Sequence, residues 1–154
     1  EVLENDIANY VEDLPVPPGD VVLVAHSMAA ASAVHYASKN TLRALITLGG
    51  AFDPKSLIDA KPHRFKPGTK LGENLNGTPQ IFSKAQLQDF QTYEVPNTMK
   101  TTFTALHGFD DELVPLRHSL LVKHLANRII LLPCSHFFQG QTEQVLEEIQ
   151  CFVD

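Results

Sequence analysis

The stretch VVLVAHSMAAA, residues 21–31, decides the fold. Val21–Ala25 is a short continuous apolar run rich in β-branched residues, which is typical of a strand buried on both faces of a parallel sheet. From Met28 to Ser38 the residues are mostly small and helix-compatible, so the chain turns directly from this strand into a helix that can pack closely on the sheet. Ser27 lies at the turn between them.

Further strand and helix patterns follow along the chain. Strand patterns recur at Arg43–Leu48, Thr102–Leu106 and Arg128–Leu132, and apolar residues at helical spacing follow the last two, within Leu116–Leu125 and Val145–Phe152. Strands that alternate with helices form βαβ units. We therefore predict an α/β fold, a mostly parallel sheet flanked by helices, in a single domain over residues 1–154.

Two segments depart from this alternation, one at the start of the chain and one within it. An amphipathic helix opens the chain and ends near Leu14, because prolines follow it. Prolines and glycines interrupt the alternation between about residues 53 and 97 and leave only one helix-like patch, at Lys84–Phe90. We predict that this excursion (residues 53–97) passes over the carboxyl edge of the sheet as a lid. Its apolar side chains are expected to line an acyl pocket: Phe65, Leu75, Ile81 and Phe82.

The overall charge argues for a small-molecule ligand. The chain has 18 acidic and 12 basic residues, a net charge of −6, and no basic block. Nucleic acid and an anionic membrane are therefore poor candidates for the main partner. No apolar stretch approaches the roughly 20 residues that span a bilayer. Cys134 and Cys151 do not form a disulfide framework, so we predict reduced cysteines and a cytoplasmic location; the oligomeric state stays open.

Basic side chains thin the negative charge over the excursion: Lys55, Lys61, Arg64, Lys66 and Lys70. They could bind an anionic group such as a phosphate. Lysines on loops more often keep the loop solvated, and the sequence favours that interpretation.

Ser27 is a candidate nucleophile. A serine hydroxyl needs a base within hydrogen-bond reach and a sharp turn that exposes its oxygen. A strand–Ser–helix junction is the context of a G-x-S-x-G nucleophile elbow, although Ala25 and Ala29 replace the two glycines here. The alternative is that Ser27 only caps the N-terminus of the helix.

An acidic loop follows the third strand pattern, in HGFDDELVP at residues 107–115. An acid just beyond a strand end can reach the base that serves the serine. We favour Asp111 for this position. Asp110 remains an alternative, since either it or Glu112 could also solvate the loop or cap the next helix.

His136, in LPCSHFF after the last strand pattern, is the candidate base. The chain order Ser, Asp, His, with each residue after a different strand, is an order that a nucleophile, its orienting acid and its base can take in a fold of this class. The alternative is a half-buried loop histidine. The other histidines do not form a metalloprotease pattern, and Cys134 with His136 lacks the further ligands of a zinc site. We predict no metal.

The motifs AHSMA, HGFDDELVP and CSHFF resemble the α/β-hydrolase superfamily over nearly the whole chain. GENLNGTPQIFSKAQLQDFQ, DELVPLR and SHFFQG make the chain loosely similar to small bacterial YqiA-type esterases. The resemblance implies hydrolysis of acyl esters or thioesters without a cofactor, with Ser27 as nucleophile, Asp111 as orienting acid and His136 as base. It also implies the Met28 backbone N–H as an oxyanion donor. We expect His26, Phe82 and Phe137 to contact the substrate.

The resemblance also exposes a gap. In this fold the second oxyanion donor comes from a loop after an earlier strand, whereas this chain opens with the helix that precedes the nucleophile strand. We therefore expect N-terminal strands to be missing, and the loss of one oxyanion donor costs about 10²- to 10³-fold in kcat. The rival hypothesis is a non-catalytic α/β-hydrolase-like module that binds a ligand or partner.

Overall fold

The computed structural model describes residues 2–73 and 77–153. Its strands are β1 (Val22–His26), β2 (Ala44–Leu48), β3 (Lys70–Glu73), β4 (Pro79–Ile81), β5 (Phe103–Gly108) and β6 (Arg128–Leu132). Its α-helices are α1 (Val2–Glu12), α2 (Ala29–Lys39), α3 (Pro54–Ala60), α4 (Lys84–Thr92), α5 (Arg117–Leu121) and α6 (Thr142–Gln150). A 3₁₀ turn at Pro18–Asp20 precedes β1. Among the described residues, no helix has both the length and the apolar character needed to cross a bilayer.

Four strands form a parallel sheet in the order β1-β2-β5-β6. The register places Ile46 beside Val24 on one side and beside Thr104 on the other. Helices lie on both faces of this sheet, as is typical of parallel sheets. The predicted fold class, a mostly parallel sheet flanked by helices, is confirmed.

The helices bury alternate residues of the same strands. On one face, α1 and α2 pack against a cluster that includes Leu45 and Phe103, both fully buried. On the other face, α6 packs against a cluster that includes Ile46 and Leu106. In β2 and β5, odd-numbered residues belong to the first cluster and even-numbered residues to the second, because successive side chains of a strand point to opposite faces of the sheet. The carboxyl ends of all four strands therefore meet at one fixed edge.

The opening helix ends at Glu12, within two residues of the predicted end near Leu14. Two other sequence predictions about these elements were wrong. The first strand is not buried on both faces, since Val24 of β1 is 40% exposed. The helix predicted to reach Leu125 ends at Leu121, after which a turn continues the helical spacing and Leu125 still reaches the core.

The excursion contains more regular structure than the single helix predicted. Pro54 begins α3, and the carboxylate of Asp53 caps this helix by accepting from the Ser56 N–H at 3.1 Å. Proline at the first helical position favours a helix start, so its presence here was misread as a break. Strands β3 and β4 pair as an antiparallel hairpin, and Ser83 caps α4 in a capping box. Leu75 lies outside the described residues.

Aromatic side chains hold the excursion against the sheet edge. Phe82 and Phe90 are buried and stacked with ring centroids 6.1 Å apart, and Phe65 meets Phe82 edge-on at 5.9 Å. Ile58 completes this cluster, and Met28, the residue after Ser27, packs against it. Burial of such rings contributes several kcal/mol to folding, at about 25 cal/mol per Å². The excursion therefore rests directly on the turn that follows β1.

Candidate active site

Ser27 occupies a strained turn between β1 and α2. Its φ is +58°, in the left-handed region that costs a non-glycine residue about 1–3 kcal/mol. The neighbouring strand pins the turn, since the Ser27 N–H donates to the Leu48 carbonyl at 2.9 Å and the Ala51 N–H donates to the Ser27 carbonyl at 3.0 Å. The turn forms with Ala25 and Ala29 at the positions where the elbow motif has glycines. Strain that its surroundings hold in this way is typical of functional sites.

The structure brings Ser27, His136 and Asp111 into one hydrogen-bonded chain. The hydroxyl of Ser27 lies 2.9 Å from His136 Nε2, and His136 Nδ1 lies 2.7 Å from Asp111 Oδ2. A carboxylate can only accept, so Nδ1 carries the proton and Nε2 is left to accept from the serine hydroxyl. The residues follow β1, β5 and β6, and they meet because these strands end at the same edge of the sheet.

Both carboxylate oxygens of Asp111 are occupied. Oδ1 accepts from the backbone N–H of Leu113 at 2.9 Å and of Val114 at 2.7 Å, and Oδ2 accepts from His136. The side chain is 1% exposed. Asp110 differs in this respect, because it is exposed and lies outside this chain of hydrogen bonds. Of the two acids left open by the sequence, Asp111 is the one that contacts His136.

A second buried histidine supports the acidic loop. His107 donates from Nε2 to the Val114 carbonyl at 2.9 Å, and its Nδ1 accepts from the Ser119 hydroxyl at 2.8 Å. Its Nε2 lies 3.7 Å from Asp111 Oδ2. Burial lowers the pKa of His107, mainly by desolvation, which favours the neutral ring. Sequence reasoning missed this residue, because HGFDDELVP was considered only as the source of the acid.

Gly49 is a second residue that sequence reasoning missed. It follows β2 with φ +54°, and a Cβ there would lie 3.1 Å from both Asp111 Oδ2 and His136 Nδ1. The absence of a side chain lets the acid and the histidine approach each other beside the strand end. The signal was present in the sequence, since the second strand pattern closes on Gly49 and Gly50.

His26 lies against the candidate base. Its Nε2 donates to the backbone carbonyl of His136 at 3.0 Å, and the two rings are 4.6 Å apart between centroids. Desolvation by burial lowers the pKa of His26, although the hydrogen bond to the His136 carbonyl opposes this effect. His26 therefore ties the end of β1 to the loop that carries His136.

Met28 stands at the N-terminal end of α2. The carbonyls of Ser27 and Met28 accept the first helical bonds, from Ala30 and Ala31, while the Met28 N–H has no backbone acceptor among the described residues. Free N–H groups at a helix N-terminus, together with the helix dipole, favour negative charge. This N–H can donate to an oxyanion that forms next to Ser27.

A cavity of about 750 Å³ opens onto Ser27 and His136. The three side chains expected to contact substrate all line it: His26, Phe82 and Phe137. So do Phe65 and Ile81 of the expected acyl pocket. Leu57 and Val114, which the sequence did not single out, form buried parts of the wall. In residues 2–73 and 77–153, no three His, Cys, Asp or Glu side chains cluster so as to hold a metal ion.

Solved structures share this architecture. A putative hydrolase from Agrobacterium vitis S4 aligns with 86% of the chain at TM-score 0.64 and 19% identity. The esterase domain of a Rhodothermus marinus protein aligns with 98% at TM-score 0.71 and 18% identity. The mouse alpha/beta hydrolase domain-containing protein 10 aligns with 98% at TM-score 0.68 and 19% identity. The chain has the α/β-hydrolase fold.

The α/β-hydrolase resemblance seen in the sequence is thus confirmed at the level of the fold. The likeness to YqiA-type esterases stays a prediction. The chain spans 61% of the length of the Agrobacterium protein, 70% of the Rhodothermus domain and 68% of the mouse protein. No protein-family model and no curated protein matches the sequence.

Proposed function

We propose that the protein is a serine hydrolase that cleaves carboxylic esters or thioesters through an acyl-enzyme. One observation carries the proposal: a serine at a strained turn contacts a histidine at 2.9 Å, whose other nitrogen contacts a buried carboxylate at 2.7 Å. Nucleophile, base and orienting acid in this relation define a Ser-His-Asp triad by geometry and role. The esterases among the fold neighbours add support.

In the proposed first half-reaction, His136 Nε2 takes the Ser27 proton while the serine oxygen attacks the acyl carbon. The imidazolium that forms is stabilised by Asp111 Oδ2, which also keeps Nδ1 protonated. The tetrahedral oxyanion accepts a hydrogen bond from the Met28 N–H. His136 then returns the proton to the leaving alcohol or thiol, and the acyl group stays on Ser27.

In the second half-reaction a water molecule replaces the leaving group. His136 takes a proton from the water, the hydroxide attacks the acyl carbon, and Ser27 leaves with the proton that His136 returns. The product is a carboxylic acid. The apolar side chains of the cavity, which include Phe65 and Phe82, would hold the acyl chain and exclude bulk water.

The rival proposal is a non-catalytic module that binds a ligand in the same cavity. One observation favours it: Ala25 and Ala29 stand at the two positions where the nucleophile-elbow motif has glycines. The hydrogen-bonded triad favours the enzyme, because a binding site has no need of a base aimed at a serine. A direct activity measurement separates the two.

The first test is the release of nitrophenolate from 4-nitrophenyl butyrate. An acyl-enzyme predicts a burst that approaches one equivalent of nitrophenolate per protein, followed by slower turnover. Ser27→Ala and His136→Ala should each lower the rate at least about 10³-fold. Ser38→Ala, a serine on the far part of α2 that bonds only the His35 carbonyl, is the matched control and should keep full activity. A folded protein with no turnover would favour the binding module.

A further inference from the structure

Two cations of the excursion line the cavity that holds Ser27. Lys61 directly follows α3, and in the next turn the Arg64 N–H donates to the Lys61 carbonyl at 2.9 Å. Both residues line the cavity. Lys55 and Lys66, which lie close to them in sequence, are exposed and do not. The structure thus separates the basic residues of the excursion into two groups that the sequence could not distinguish.

Neither cation has an ion-pair partner among residues 2–73 and 77–153. No salt bridge or side-chain hydrogen bond among the described residues involves Lys61 or Arg64. Asp6 is the one carboxylate among the lining residues, so outside the triad the wall carries two positive charges and one negative charge. This local excess of positive charge occurs in a chain whose net charge is −6. A concave surface with net positive charge attracts anionic ligands.

The apolar and the charged residues that line the cavity differ in exposure. Phe82, Phe90 and Leu57 are buried, whereas Arg64 is exposed and Lys61 is half-buried. An acyl chain gains most free energy on the apolar side. The part of the substrate that stays near solvent then meets a guanidinium and an ammonium, the two groups that proteins use for carboxylates and phosphates.

We propose that the preferred substrate is an ester or thioester with an apolar acyl group and a leaving group that bears a carboxylate or phosphate, bound by Lys61 and Arg64. This inference rests on the proposed serine-hydrolase function. Ser27 Oγ forms the bond to the acyl carbon, the bond to the leaving oxygen or sulfur breaks, and His136 protonates that atom. The anionic alcohol or thiol then departs from the cavity, and water releases the acid.

The test compares leaving groups that differ by one charged group on the same acyl chain. 4-Nitrophenyl butyrate is the neutral ester, 5-butyryloxy-2-nitrobenzoate carries a carboxylate, and a ring-phosphorylated analogue carries a phosphate. Lys61→Gln and Arg64→Gln should each lower kcat/KM for at least one anionic ester about tenfold and leave the neutral ester within about twofold. The anionic ester whose kcat/KM falls more in the variants identifies the anion that the site prefers.

Lys66→Gln is the matched control, since it removes the same charge from an exposed position two residues from Arg64. It should leave all three esters unchanged. Added salt should reduce the preference for the anionic esters in the wild type, because the cations lie near solvent. Equal losses on neutral and anionic esters, no loss in either variant, or the same loss in Lys66→Gln would each overturn the proposal.

A binding readout keeps this inference separable from the proposed catalysis. Ser27→Ala binds the esters without cleaving them, so their dissociation constants can be measured by calorimetry. If the wild type hydrolyses none of the esters but Ser27→Ala binds an anionic ester about tenfold tighter than the neutral one, the hydrolase proposal fails and the anion site stands. If hydrolysis proceeds and Ser27→Ala binds all three esters equally, the anion site fails and the hydrolase stands.

Discussion

Asparagine at position 111 should preserve the loop and still disable the proposed triad. Asp111 Oδ1 accepts two backbone N–H groups, from Leu113 and Val114, and an asparagine carbonyl can accept both. The amide NH₂ then faces His136 Nδ1, where Oδ2 stands in the wild type. Two donors cannot pair, so His136 must move its proton to Nε2, and that nitrogen can no longer accept from Ser27.

The expected cost is large because the change acts on the tautomer of the base. An Asp→Asn change in a Ser-His-Asp triad lowers kcat about 10⁴-fold, which corresponds to about 5.5 kcal/mol of transition-state stabilisation. Stability should change much less, since the two loop hydrogen bonds remain. The assay is steady-state hydrolysis of 4-nitrophenyl butyrate, with urea unfolding measured on the same preparations.

Asp110→Asn is the matched control. Asp110 is exposed and lies next to Asp111 in the sequence, so the substitution removes the same charge from a neighbouring position. Its activity should stay within about threefold of the wild type. Activity of Asp111→Asn within tenfold of the wild type would refute the reasoning. So would a larger loss in Asp110→Asn, which would assign the orienting acid to the other residue that the sequence allowed.

Three further predictions follow from the surroundings of the triad. Gly49→Ala should lower kcat about 10²-fold, because its Cβ would press on the acid and the base, whereas Gly140→Ala, at a similarly positive φ with nothing within 4 Å, should keep full activity. His26→Phe keeps a ring but loses one hydrogen bond to the base's loop, so kinetics should show a loss of about five- to tenfold in kcat. Burial lowers the pKa of His107 and His118 in the folded protein. Urea unfolding should therefore show full stability above about pH 6.5, and below it a loss of up to about 1.4 kcal/mol per pH unit for each histidine. A free energy of unfolding that rises on acidification would contradict this.

The sequence predicted the elements whose signals are local. The run RIILL gave β6 with the observed bounds, Arg128–Leu132, because β-branched residues between turn residues leave few alternatives. The exposure of Val24 in β1 could not be predicted, since an apolar run does not say which of its side chains a helix will cover. Pro54 was misread as a break, because whether a proline breaks or starts a helix depends on the capping residue before it, here Asp53.

The candidate site was partly predictable because its three side chains each follow a strand at one sheet edge. Chain order alone therefore selected Ser27, His136 and a choice between two acids. Choosing Asp111 over Asp110 required knowing which carboxylate the backbone N–H groups of the loop hold. The role of Gly49 became visible only from the close approach of the Asp111 and His136 side chains. The division of basic residues into cavity and surface groups needed the turn after α3, which no local pattern specifies.

The most direct test of the account is to treat the folded protein with a fluorophosphonate and to map the adduct by mass spectrometry. Only an activated serine reacts readily, and the protein contains its own control, since Ser119 also bonds a histidine but is fully buried. One adduct is expected, on Ser27, and it should be absent in Ser27→Ala and in His136→Ala. A folded protein that remains unlabelled, or one labelled at another serine, would contradict it.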